Sequence, residues 1–283
     1  MTTLQSAAAG ASRSNRALTH GQIGITVGAG MMLAMLAAGI LVPWLSPYHP
    51  NDMIARPLLP PSWTHPFGTD QLGRDVLTRT FAVFRDLGVA FLGVTVPLMI
   101  GTVIGVLLSI SQNRLLVMLL GSIIDAINAL PLLVIAIALI ALVGPGLGSI
   151  VLVLAMTNWA RYARIARTRA SIVSREGYIE AARLQGYSQA RIFFRHFLPN
   201  VSSETVAYGL SDFILVIMLI AGLSFLSLGA TPPTAEWGVM ISEGRPFVQQ
   251  AWWMTIFPGL ALCWAGISVS FIAEGFSRQE RGF

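Results

Sequence analysis

An all-α integral membrane protein with six transmembrane helices is the fold this sequence predicts, and three observations predict it. Of the 283 residues, 54% are hydrophobic and only 11% charged, where a soluble domain carries about a quarter charged. Six stretches are apolar enough to be drawn as spans, at about 22–45, 87–111, 115–142, 147–160 with a helical extension, 203–228 and 251–273. Crossing the roughly 30 Å hydrocarbon core takes about 20 helical residues. Finally, the eighteen basic residues are all Arg and unevenly placed, eight of them within 161–195. With the N-terminus in the cytoplasm, thirteen Arg fall inside and five outside, as the positive-inside bias expects. Both termini are then cytoplasmic. The formal charge of +5 reflects orientation rather than nucleic-acid binding.

The chain divides accordingly into a cytoplasmic tail (1–21), a first span (22–45), an extracytoplasmic segment (46–86), a five-helix core (87–275) with a cytoplasmic loop at 161–199, and a tail (276–283). The first apolar run is longer than the 7–15-residue core of a signal peptide, so it reads as a retained span. It ends at Pro43-Trp44-Leu45-Ser46-Pro47, where prolines stop the helix and Trp44 suits the interfacial aromatic belt. The proline-rich stretch that follows predicts extended chain until Asp70-Gln71-Leu72-Gly73-Arg74-Asp75 opens a short amphipathic helix, on whose surface Asp75 and Arg79 are spaced to pair.

In the second span, Gly101 and Gly105 form a Gly-x-x-x-Gly through which a neighbouring helix can approach closely. The third carries Asp125, Asn128 and Pro131 and ends at the Gly144-Pro145-Gly146 turn. The fourth continues as a basic rod, with Arg161, Arg164 and Arg167 on one face, until Ser174-Arg175-Glu176-Gly177 breaks it. Cys263, the single cysteine, rules out a disulfide framework within the chain. The four histidines, at 20, 49, 65 and 196, lack ligand spacing, so no metal site is expected.

The long polar loop reads as helix, Gly C-cap, Ser N-cap, helix, Pro stop. Glu180-Ala181-Ala182-Arg183-Leu184-Gln185-Gly186 would end one short helix at Gly186, which tolerates the left-handed conformation. Ser188 would cap the next helix, and Leu198-Pro199-Asn200 would end it. Glu180 offers a charge, Ala181 and Ala182 a shallow surface, and Tyr178, Ile179 and Leu184 apolar contact. Such a knob suits docking to a soluble partner, although an ordinary helical hairpin would read alike.

Together these residues resemble the coupling loop of bacterial ABC importer permeases. Further runs fall in the order of the dipeptide/oligopeptide/nickel permease family, second (C-type) subunit. They are His65-Pro66-Phe67-Gly68-Thr69-Asp70-Gln71-Leu72-Gly73-Arg74-Asp75, Trp159-Ala160-Arg161-Tyr162-Ala163-Arg164, Arg195-His196-Phe197-Leu198-Pro199-Asn200 and Thr234-Ala235-Glu236-Trp237-Gly238. The resemblance implies a type I importer permease fold with cytoplasmic coupling helices. It also implies a homologous second permease, two cytoplasmic ATPases that bind ATP and Mg, an extracytoplasmic solute-binding protein, and residence in the bacterial inner membrane. Coupling would fall to Tyr178, Glu180, Ala181, Ala182, Gly186, Ser188 and Pro199. The outer stretches 60–80 and 229–250 would meet the binding protein. The chain departs from the family's pattern at Val117, Gly121-Ser122 and Ile220, which weighs against peptide specificity, and the run Ala221 to Gly229, with Thr234 to Gly238 after it, looks closer to nickel-type members.

The sequence holds no phosphate loop, no lysine to serve one, and no hydrolase motif, so the chain reads as a non-catalytic subunit. Burying a charge in the bilayer costs about 2.5–3.5 kcal/mol on insertion scales. Asp125 and Asp212 are therefore candidates for the substrate path, or structural acids near the inner surface; Asn128, Met156 and Asn158 are further lining candidates. Two acids without a buried Arg in the spans tilt the cargo toward a cation or metal complex over a peptide. A secondary transporter or channel needing no ATP is the alternative; it predicts inverted repeats and helices broken at midplane, and no convincing repeat is visible.

Overall fold

The computed structural model describes residues 2–281, which form helices and connecting segments; among them only an isolated bridge, Thr69 with Asp75, is strand-like. Twelve α-helices follow in order: α1 Thr2–Leu45, α2 Val76–Thr80, α3 Val83–Ile110, α4 Arg114–Ala129, α5 Leu132–Val143, α6 Leu147–Thr157, α7 Trp159–Val173, α8 Gly177–Leu184, α9 Gln189–Ile192, α10 Leu198–Phe225, α11 Trp237–Gly244 and α12 Trp253–Arg281. Among the described residues, four helical segments are long and apolar enough to cross a membrane: Gly21–Leu45, Val76–Ile110, Gln189–Phe225 and Trp253–Arg278. A fifth is added if α4 and α5, bent by 97° at their junction, make one broken span. The bend falls at Pro131, whose ring forces Leu130 out of the helical region to φ −95°, ψ 142°. The fourth expected span, at 147–160, is not among these segments, because the apolar α6 covers only 11 residues before Asn158 leads into the basic α7.

The chain forms two compact units. One gathers the chain up to Leu87, Phe213–Leu226 and the chain from Ala230 onward; the other gathers Gly88–Asp212 and Ser227–Gly229. In the first unit α1 lies along α12 through small residues. A Cβ on Gly28 would stand 2.5 Å from the Ser268 carbonyl oxygen, and one on Gly275 would stand 2.5 Å from that of Gly21. The Trp264 indole donates to the Met31 carbonyl at 3.1 Å.

In the second unit the Gly-x-x-x-Gly of α3 packs on α7. A Cβ on Gly101 would lie 2.4 Å from the Trp159 carbonyl oxygen, and one on Gly105 2.3 Å from that of Ala163. These are backbone atoms, so the helices can make room only by separating. Gly105→Leu is expected to destabilise the packed unit by at least about 2 kcal/mol, the upper range for overpacking, and to cut the yield of folded chain extracted from membranes. Gly88→Leu on the same helix, where a Cβ meets nothing within 4 Å, should leave that yield unchanged.

Between Ser46 and Asp75 the first unit carries a folded segment rather than the extended chain the prolines suggest. Gly68 (φ +73°) and Gly73 (φ +76°) reverse the backbone. The Asp70 carboxylate then accepts from the Leu72 and Arg74 N–H groups, each at 2.9 Å. The helix begins at Val76, later than expected, with Asp75 as its N-cap accepting from Thr78 N.

Candidate functional site

Two features carry functional weight in the second unit. The first is the hairpin that follows α7. Gly186 sits at φ +75° and ends α8, and the Ser188 hydroxyl accepts from Arg191 N at 3.3 Å to open α9, both as the sequence suggests. Pro199 departs from expectation. Instead of stopping a helix, it lies in the first turn of α10, reached from α9 through a π-helical turn at Phe193–Phe197. Proline cannot donate to the carbonyl four residues back and its ring crowds that carbonyl, and the wider π turn relieves both.

The faces of α8 also differ from the sequence reading. Ile179 and Ala182, expected to face a partner, are buried with Ala166, Ala170, Val173, Ile192 and Phe197. Tyr178, Glu180, Ala181 and Leu184 point outward, and Leu184 keeps 84% of its surface exposed. Phe194 adds a second apolar exposure nearby in sequence. Tyr187 supports the turn, stacked on His196 and covered by the Arg191 guanidinium 5.0 Å from its ring centre. The hairpin is thus a small rigid body with a mixed apolar and polar outer face.

The second feature is a polar cavity of about 260 Å³ at the α4–α5 break and the start of α7. Its lining includes Asn128, Leu130, Thr157, Asn158, Arg161 and Arg164. The acids expected to stand alone do not. Asp212, buried on α10, accepts from Arg161 Nη1 at 3.3 Å and from the Tyr162 hydroxyl at 2.9 Å. Asp125 is exposed and accepts from Arg164 Nη2 at 2.7 Å. The tilt toward a cationic cargo rested on unpaired carboxylates, and that premise is corrected: each acid is met by an arginine of α7. Spacing alone showed Arg161 and Arg164 sharing a face, but the acids they meet are 51 and 39 residues away. Of the other candidates, Asn128 donates to the Ile124 carbonyl at 2.8 Å. Asn158 is buried, and neither its Oδ1 nor its Nδ2 finds a partner among the described residues. Met156 is exposed and lies outside the cavity lining.

A third cluster, in the first unit, accounts for the two motif runs at 65–75 and 234–238. Asp75 pairs with His65 Nδ1 at 2.9 Å, not with Arg79 as its spacing suggests. Arg79 instead turns inward beside Arg74, and both reach Glu243, at 3.5 and 2.9 Å, and Asp70. Arg79 also donates to the Pro50 and Pro233 carbonyls. Nearby, the Trp237 indole donates to the Thr80 carbonyl at 2.9 Å and Trp253 to that of Thr69 at 3.1 Å. Glu236 caps α11 through Val239 N at 2.8 Å, and burial pushes its carboxyl above the ordinary glutamate range.

Several long apolar helices, a hairpin of two short helices packed on α7, and a polar cavity beside a helix break are the features of a multi-pass helical membrane protein. Residues 101–282 match the family described as binding-protein-dependent transport system inner membrane component, and the chain belongs to that family. A putative peptide transport system permease protein of Brucella suis biovar 1 is 34% identical over 253 residues, covering 88% of this chain and 84% of the relative. The di/tripeptide transport system permease protein of Pseudomonas aeruginosa is 34% identical over 254 residues, with 86% and 83% covered. The dipeptide transport system permease protein of Escherichia coli K12 is 32% identical over 269 residues, with 89% and 86% covered.

Proposed function

We propose that this chain is one of the two permease subunits of an ATP-driven importer for short peptides in the bacterial inner membrane. The observation that carries the reading is the hairpin at 177–197, whose inner face is packed on α7 while Tyr178, Leu184 and Phe194 stand exposed among polar residues on its outer face, as a docking surface in the polar loop requires. The peptide transporters named among its relatives favour a peptide cargo, and the pairing of Asp125 and Asp212 with arginines removes the charge argument for a metal complex.

In this reading both termini and the 161–199 loop are cytoplasmic. Two ATPase subunits, which hold ATP and Mg, grip the hairpin and its counterpart on a homologous permease. Their closure on ATP moves the hairpins, and the permease pair passes between inward- and outward-open forms, a two-state change biased by a bound partner. The hairpin core transmits force because Ile179, Ala182, Ile192 and Phe197 tie α8 and the π turn to α7. On the extracytoplasmic side in this reading, the stretches 60–80 and 229–250 receive peptide from a solute-binding protein.

The test is to purify the tagged chain from membranes, identify what copurifies, and reconstitute that complex with the cognate binding protein in liposomes. Dipeptide uptake driven by internal or external ATP, according to orientation, is expected from the complex, and no ATP hydrolysis from the isolated chain. Hydrolysis by the homogeneous chain, or uptake that needs no ATP, would overturn the reading.

A further inference from the structure

The polar cavity of the second unit has a chemistry more specific than a water-filled path requires. Its two cations, Arg161 and Arg164, come from successive turns of α7, and both line the cavity, while their acids, Asp212 and Asp125, do not. The carboxylates therefore hold the guanidiniums from behind. Each guanidinium carries five N–H donors in a planar fork; Arg164 meets Asp125 and Arg161 meets Asp212 and Tyr208, which leaves further donors on each to face the cavity. Asn158, 1% exposed, lines the same cavity with both amide atoms unpartnered among the described residues. An unpaired buried amide costs on the order of 1–3 kcal/mol, a cost that a ligand accepting its N–H would recover.

Resting on the peptide reading above, we infer that this cavity is a subsite for a carboxylate of the cargo peptide, held by Arg161, Arg164 and the Asn158 amide. Guanidinium forks match carboxylate geometry and reject ammonium groups, so the subsite orients the peptide with a carboxylate toward α7. The carboxylate comes from the peptide C-terminus or from an acidic side chain, and the experiment separates the two.

Leu130 lines the cavity and is itself exposed, so a cysteine there reports on the cavity without removing a polar group. In the full transporter complex carrying Leu130→Cys and Cys263→Ala, labelling by an anionic sulfonatoethyl methanethiosulfonate is compared with that by its cationic trimethylammonium counterpart. The anionic reagent is expected to react at least about tenfold faster relative to free thiol, the focusing expected of a cleft lined by one sign of charge. Adding Arg164→Gln should reduce that preference; its partner Asp125 is exposed, so no buried charge is orphaned. Dialanine should slow labelling, dialanine amide should not, and alanyl-glutamate amide reports whether a side-chain carboxylate serves. A preference near unity, one indifferent to Arg164→Gln, or equal protection by dialanine and its amide would overturn the subsite. Dipeptide uptake by the same complex is measured alongside, so a complex that takes up no dipeptide fails the functional reading while the anion preference still judges the cavity.

Discussion

Arg74→Met is expected to remove most of the folded chain from the membrane, the largest stability effect of any single substitution considered. Arg74 is fully buried and pairs with Asp70 and, at 2.9 Å, with Glu243. With Arg79 it balances two acids; without it the buried cluster carries an uncompensated negative charge. Breaking a buried ion pair by deleting one partner costs about 3–5 kcal/mol, a large share of a typical 5–15 kcal/mol total. Arg79 lies close to both acids already and limits the loss to this range. Arg74→Lys keeps the charge but not the fork, and should fall between wild type and Arg74→Met. A compensating Asp70→Leu should recover only part of the loss, because Asp70 also holds the Leu72 and Arg74 N–H groups of the turn. Thermal unfolding of detergent-purified chains checks the order; an Arg74→Met protein as stable as wild type would show that the network is dispensable.

The features legible in the sequence were those written locally. Apolar runs and the approach of α3 to a neighbour through Gly101 and Gly105 follow from residue chemistry within a few turns, whereas the 97° break at Pro131 interrupts a span drawn as continuous over 115–142. The Gly186 and Ser188 caps are local too, needing only one conformation and one hydroxyl. Charge pairing is another matter. Asp75 and Arg79 have helical i,i+4 spacing, yet the turns at Gly68 and Gly73 bring His65 to Asp75 first, and Arg79 meets Glu243 164 residues away. The same holds for Asp212, whose partner on α7 cannot be found from spacing. Pro199 misled for a different reason: proline is a strong helix breaker only if the preceding turn stays α-helical, and the π turn at Phe193–Phe197 removes that condition. Which face of α8 is inward depends on the core supplied by α7 and α10, so Ile179 and Ala182 could be placed on a helix but not assigned a side.

The other large effect is expected at the hairpin, where transport and stability should separate. Leu184 is 84% exposed on α8, so Leu184→Glu removes an apolar anchor from the docking face without touching the core. Hot-spot truncations cost 2 kcal/mol or more at an interface, and uptake by the reconstituted complex should fall by about thirtyfold. Gly186→Val acts differently. A Cβ there meets no atom within 4 Å, so the cost is confined to the backbone at φ +75°, about 1–2 kcal/mol for a side chain in the left-handed region. The strain is relieved by turning α8 against α9, which would misalign the face proposed to meet the ATPase. Gly186→Asn, better tolerated at positive φ, should retain most of the uptake. Insertion and thermal stability of Leu184→Glu should match wild type, while ATP hydrolysis by the complex loses its response to peptide-loaded binding protein. Uptake left intact in both Leu184→Glu and Gly186→Val would move the ATPase contact away from this hairpin.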